Sequence, residues 1–143
     1  MKKKQVLYYF FVCWPIDVKK HEREKYYSGE MLQFFRSNCR IMQISEREKQ
    51  DQILSKQLLR CGTSIGANIE EGIGGQTKKD FNFRFTIAYK EARETFYWLK
   101  VLKESKMIEQ NLIDKPISDC NEILKILGTI LKTLKNQQSS NNS

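Results

Sequence analysis

Residues 81–102 read Phe81-Asn82-Phe83-Arg84-Phe85-Thr86-Ile87-Ala88-Tyr89-Lys90-Glu91-Ala92-Arg93-Glu94-Thr95-Phe96-Tyr97-Trp98-Leu99-Lys100-Val101-Leu102. Within this run Phe81, Phe85, Ala88, Ala92, Phe96, Leu99 and Leu102 recur at steps of three and four, the period of a helix that buries one side. Thr77-Lys78-Lys79-Asp80 ahead of it has the pattern of a weak capping box, in which the hydroxyl serves an early helical N–H. The helix is predicted to run from there to about Ser105.

The same period extends on both sides. Upstream, Tyr27, Met31, Phe35, Cys39 and Met42 form a stripe predicted to run from about Glu24 to Ile44. Ser45-Glu46-Arg47-Glu48 is a capping box that opens a second segment, with Leu54, Leu58, Cys61, Ile65 and Ile69 on one face. That segment is expected to end near Glu71, because Gly72-Ile73-Gly74-Gly75 disfavours a helix. Downstream, Asp114 and Pro116 mark a fourth start, since proline suits the first turn. There Ile117, Cys120, Leu124, Leu127, Leu131 and Leu134 keep a seven-residue repeat. No two-residue alternation competes. Long helices with short connections pack as antiparallel neighbours, so the fold class is all-α, an antiparallel up-down-up-down four-helix bundle.

The 143 residues make one domain and leave no room for a second sizeable core. The division expected is an N-terminal extension over 1–23, the bundle over 24–137 and a frayed Asn/Ser-rich tail over 138–143. Met1-Lys2-Lys3-Lys4 and the run Val6 to Trp14 resemble the start of a secretory signal, but no small-residue cleavage site follows. An accessory or mis-assigned extension is preferred, then a β-like arm, then a signal. No apolar run reaches the ~20 residues that span a bilayer, so no membrane role is expected. Cys13, Cys39, Cys61 and Cys120 lack metal-clip spacing, and buried free thiols in a reducing cytoplasm are the expected state.

With His21 as the sole histidine, the composition speaks against a His-based zinc site or a Ser-His-Asp triad. Glu91 and Glu94 share a face of helix three, yet a di-metal bundle site needs Glu-x-x-His motifs, which are missing. The preferred reading is structural ion pairing. No catalytic residue, metal or cofactor is expected. Glu70 and Glu71 end helix two, where the macrodipole disfavours anions, so they call for cations, with Arg93 and Lys90 as candidates. Gly62 and Gly66 inside helix two each cost about 1 kcal/mol relative to Ala. Close packing within the subunit is the first explanation, a seam between subunits the second.

The 25 Lys+Arg exceed the 17 Asp+Glu, a formal charge of +8. Residues 77–106 hold eight basic and four acidic side chains. Lys78, Lys79, Arg84, Lys90, Lys100 and Lys103 are the candidate contacts to phosphates, against the plainer reading of a solvated surface. Gly72 to Lys79 lacks the order of a phosphate loop, but the helix terminus there can meet an anion. Helix three also carries a second apolar strip, Phe83, Ile87, Trp98 and Val101, far around from the core stripe. One bundle core cannot bury both, so self-association through this strip is preferred over its cover by the N-terminal segment.

At Leu54-Ser55-Lys56-Gln57-Leu58-Leu59-Arg60-Cys61-Gly62-Thr63-Ser64-Ile65-Gly66-Ala67-Asn68-Ile69-Glu70-Glu71, and again from Ile87 to Leu99, the chain resembles a known family. These are the four-helix-bundle proteins encoded by intervening sequences in bacterial 23S rRNA genes. Relatives serve as accessory proteins beside the reverse transcriptases of diversity-generating retroelements. The resemblance runs from about Glu24 to Gln137. It implies a ring, typically a pentamer, with basic surfaces that contact RNA or DNA. Arg60, Gly62, Ser64, Asn68, Glu71, Glu91 and Glu94 match the family signature, and no catalytic role attaches to them. The function expected is a non-enzymatic, homo-oligomeric nucleic-acid binder. The alternative is a scaffold that docks a partner such as a reverse transcriptase.

Overall fold

The computed structural model describes residues 34–40, 43, 52–106 and 108–141. The expectations placed on residues 1–33, on Met42 and on the capping box at Ser45 lie outside the described residues. The protein is an all-α four-helix bundle: α1, described over residues 34–40, α2 (Gln52–Gly74), α3 (Lys78–Glu104) and α4 (Gln110–Asn141). No strand occurs among the described residues.

Helix α3 is the middle of the described structure and packs against both α2 and α4. Its start follows from Thr77, whose extended backbone (φ −125°, ψ 150°) lets the hydroxyl accept from the Asp80 N–H at 3.0 Å. Its buried face is Phe81, Phe85, Ala88, Ala92, Thr95, Leu99 and Leu102, and Phe81 and Phe85 stack with ring centres 4.0 Å apart. Phe96, expected in this stripe, is only half-buried, and Thr95 goes in instead. A hydroxyl tolerates that place because it donates to the Glu91 carbonyl at 2.8 Å, so no polar group is stranded. The helix closes with the Ser105 N–H donating to the Val101 carbonyl, and Lys106 at φ 55° turns the chain back.

On α2 the predicted stripe holds from its second member: Leu58, Cys61, Ile65 and Ile69 are buried, whereas Leu54 is half-buried. The helix does not end at Glu71 but carries on to Gly74, where the Gly75 N–H donates to the Gly72 carbonyl at 3.2 Å. The reason is packing. Gly72 faces the Phe85 ring so closely that a Cβ there would lie 2.9 Å from two ring carbons. Contact of the ring with bare backbone offsets the glycine's poor helix propensity.

Two further expectations need correction. On α1, Phe34 and Asn38 are buried while Phe35 and Cys39 are half-buried, so the inward face is displaced by one residue. Gly62 makes room for this, since a Cβ at 62 would lie 2.7 Å from the Asn38 amide nitrogen. At α4, the helix starts four residues ahead of Asp114, and Pro116 lies inside it. Pro116 forfeits one backbone hydrogen bond, and burial of Ile113 on the preceding turn offsets that loss. The buried edge of α4 is Ile113, Pro116, Cys120, Leu127 and Ile130, whereas Ile117, Leu124, Leu131 and Leu134 are half-buried. A strict seven-residue repeat drifts around a straight helix, which carries part of the expected seam off the α3 contact. The helix also runs through 137–141, where composition predicts fraying.

The thiols of Cys61 and Cys120 are free and buried, donating to the Leu58 and Ala92 carbonyls at 3.4 Å each. Burial pushes the Cys120 thiol up to about 12 and raises Cys61 as well, so both act as small hydrophobes. Cys39 is free and half-buried.

The two glycine environments separate packing from propensity. Gly72→Ala must displace the Phe85 ring and is expected to cost about 1–3 kcal/mol, as overpacking does. At Gly128 a Cβ would meet Tyr89 at 3.6 Å, an ordinary contact. Gly128→Ala is therefore expected to stabilise by up to about 1 kcal/mol through helix propensity. Urea unfolding of both variants checks the opposite signs.

Candidate nucleic-acid interface

With its inner face against α2 and α4, α3 turns its opposite face to solvent. Lys79, Phe83, Lys90, Arg93, Tyr97 and Lys100 are exposed there, and Lys78 is exposed at the helix start. At 1.5 Å per residue the run from Lys79 to Lys100 covers about 30 Å.

The antiparallel register decides which cations stay available. At one end of the α2–α3 contact, the Arg84 guanidinium lies 2.5 Å from Glu71 and 4.0 Å from Asp80. Near the other end, Arg60 of α2 pairs with both Glu91 (3.3 Å) and Glu94, and also donates to Gln57 at 3.1 Å. Glu71 thus meets Arg84, and the pairing expected with Arg93 or Lys90 does not form, because those residues lie about two turns further along α3. Lys103 is likewise engaged, 2.7 Å from Asp114 at the start of α4.

The six nominated cations therefore divide. Arg84 and Lys103 spend their charge inside the subunit. Lys78, Lys79 and Lys90 have no ion pair among the described residues, and Lys100 lies 5.6 Å from the centre of the Phe96 ring with no carboxylate attached. Arg93, which sequence reasoning assigned to structural pairing, is exposed and joins this row. The acidic residues of α3 pull the other way: Asp80 lies by Arg84, and Glu91 and Glu94 are held by Arg60. Glu104 stands exposed at the far end.

The helix terminus itself is a poor anion site. Thr77 already takes the Asp80 N–H, and the hollow at the turn is lined by Glu71 and Asp80 as well as Arg84 and Gly74 to Thr77. Two carboxylates beside one guanidinium repel a phosphate more than they attract it. Lys79 belongs to the exposed row instead.

The second apolar strip lies next to that row. Phe83 is 59% exposed, and Ile87, Trp98 and Val101 are half-buried. Arg84 sits 5.8 Å from the Phe83 ring centre. The Trp98 indole N–H donates to Glu94 at 3.2 Å, which ties this residue to the Arg60 cluster. Among the other residues nominated as structural, Gly62 is buried against Asn38, Gly66 is half-buried, and the Asn68 amide donates to the Ser64 carbonyl at 2.8 Å. Sequence reasoning missed Tyr97, which is 58% exposed. Its signal was available: Arg93 four residues before it and Lys100 three after it share its face.

Among the described residues, no group of three or more His, Cys, Asp or Glu side chains is placed to hold a metal ion, and no helix is long and apolar enough to cross a membrane.

The Arg60 cluster thus joins neighbouring helices of an all-α bundle. The profile of the 23S rRNA-intervening sequence proteins matches residues 31–129, and the chain belongs to that family. It is also similar to a crystal structure of a Bacteroides thetaiotaomicron protein, described as of unknown function and from the S23 ribosomal protein family. The two are 38% identical with a TM-score of 0.68, over 72% of this chain and 95% of the other. No curated protein matches the chain.

The hydrogen bond from Arg60 holds the Glu94 carboxyl below the usual glutamate range, aided by Trp98 and opposed by partial burial. A carboxyl depressed in the folded state contributes stability above its unfolded pKa of about 4.3 and loses it as pH falls through the folded value. Arg60→Met is expected to destabilise by on the order of 0.5–1 kcal/mol at neutral pH, since both partners reach solvent. The gap between variant and wild type should close below about pH 4, as read from melts across pH.

Proposed function

We propose that the protein is a non-enzymatic homo-oligomer that binds RNA or DNA through the outward face of α3. The observation that carries this reading is the row Lys79, Lys90, Arg93 and Lys100, exposed and without carboxylate partners among the described residues. Such a row neutralises phosphates and releases their counterions, with little reading of base edges. The apolar strip beside it, Phe83 with Ile87, Trp98 and Val101, supplies the contact between subunits. A ring, of which a pentamer is the form expected for this family, repeats the cationic row around its axis and multiplies a field that one copy makes only weakly.

The exposed Phe83 also favours a second reading, in which the strip docks a different protein such as a reverse transcriptase. Light scattering separates the two. The first expects a wild-type mass several times the 17.0 kDa of one chain and a lower mass for Phe83→Asp. A wild-type mass of one chain removes the oligomer.

Binding of a short labelled RNA tests the charge reading. Between about 50 and about 200 mM salt the affinity should fall steeply, with a log–log slope of roughly −0.7 to −0.9 per phosphate contact. Lys90→Glu with Lys100→Glu should weaken binding at least about tenfold and flatten that slope by about 2. Lys125→Glu on α4 should change little. Absence of binding at low salt, or affinity indifferent to ionic strength, overturns the reading.

A further inference from the structure

We infer that Tyr97 is a base-stacking residue, so that the α3 surface selects unpaired strands over duplex. This rests on the nucleic-acid reading above and names the substrate class of that site.

Tyr97 presents its ring to solvent at 58% exposure on the same face as Lys79, Lys90, Arg93 and Lys100, which have no carboxylate partner among the described residues. Arg93 and Lys100 lie one turn to either side of it, and Lys90 two turns away, so the ring sits inside the phosphate-binding row. Its orientation is braced. The Trp98 ring meets it edge-on, with centres 5.0 Å apart and planes at 66°. Trp98 is tied to Glu94 at 3.2 Å, and Glu94 to Arg60 on α2. A ring held in place loses little side-chain freedom when it binds, which raises its contribution.

The chemistry follows from what each nucleic acid can offer. In an RNA duplex the bases stack on one another and the deep, narrow major groove shuts out side chains, so an exposed helix face meets mainly phosphates and 2′-hydroxyls. In a single strand the faces of the bases are free, and an aromatic ring flanked by Lys and Arg can stack on one while its neighbours hold the phosphates. The charge of the row, opposite to that of a phosphate chain, commits the ring to this occupant over an apolar peptide. Arg60 and Glu94 are positioning residues here, acting through Trp98.

Labelled single-stranded and duplex RNA of equal length provide the test, titrated at one low salt concentration. The wild type should bind the single strand more tightly. Tyr97→Ala should weaken single-strand binding at least about fivefold, the lower end of what one base–aromatic stack contributes, and leave duplex binding within about twofold. Tyr97→Phe and Tyr97→Trp should retain the single-strand preference, which a merely structural role for the hydroxyl would not. Thermal melts of the three variants should match the wild type, since the ring is exposed. If both RNAs bind equally and Tyr97→Ala moves neither, or lowers both alike, the stacking role is overturned while the charge reading stands. If neither RNA binds, both fall.

Discussion

The structure depends on how closely α2 and α3 approach. Bare backbone at Gly72 meets the Phe85 ring, and Gly62 leaves space for a side chain of α1. The Gly72 contact sets the distance between α2 and α3, and the ion pairs follow from their antiparallel register. Glu71 falls opposite Arg84 at one end, and Arg60 falls opposite Glu91 and Glu94 at the other. Each pair reaches solvent and adds little energy alone. Their larger effect is to fix which charges are spent and which remain.

That division gives α3 its two characters. Toward α2 the helix is neutralised. Toward solvent it keeps Lys79, Lys90, Arg93 and Lys100 beside Tyr97 and Phe83. Rigidity comes from the inner face, where Phe81, Phe85, Leu99 and Leu102 lock the helix between its neighbours. A stiff rod of about 40 Å holds its cations at fixed spacing.

Inside the bundle one feature runs against packing economy. Asn38 is fully buried, and neither its amide nitrogen nor its oxygen has a hydrogen-bond partner among the described residues. A buried polar group of this kind costs its desolvation without a compensating hydrogen bond, and so destabilises the fold. Its position against Gly62 places that cost at the α1–α2 contact.

The fold was legible because periodicity is a local property. The stripes of α2 and α3 name Leu58, Cys61, Ile65, Phe81, Phe85, Ala92 and Leu99, and all are buried. The errors came where a neighbour outweighed local preference. A phenylalanine ring carried α2 through its glycines, Ile113 drew the start of α4 ahead of Pro116, and Asn38 displaced the expected apolar residues of α1. The candidate site was half legible. Composition located the basic helix, and spacing located Glu91 and Glu94 on one face. Which cations are paired, and that Tyr97 stands among those without a carboxylate partner among the described residues, required the register between helices. Helical period is written into each segment through 3.6 residues per turn. The pairing of charges belongs to two segments at once, and only their packed geometry decides it.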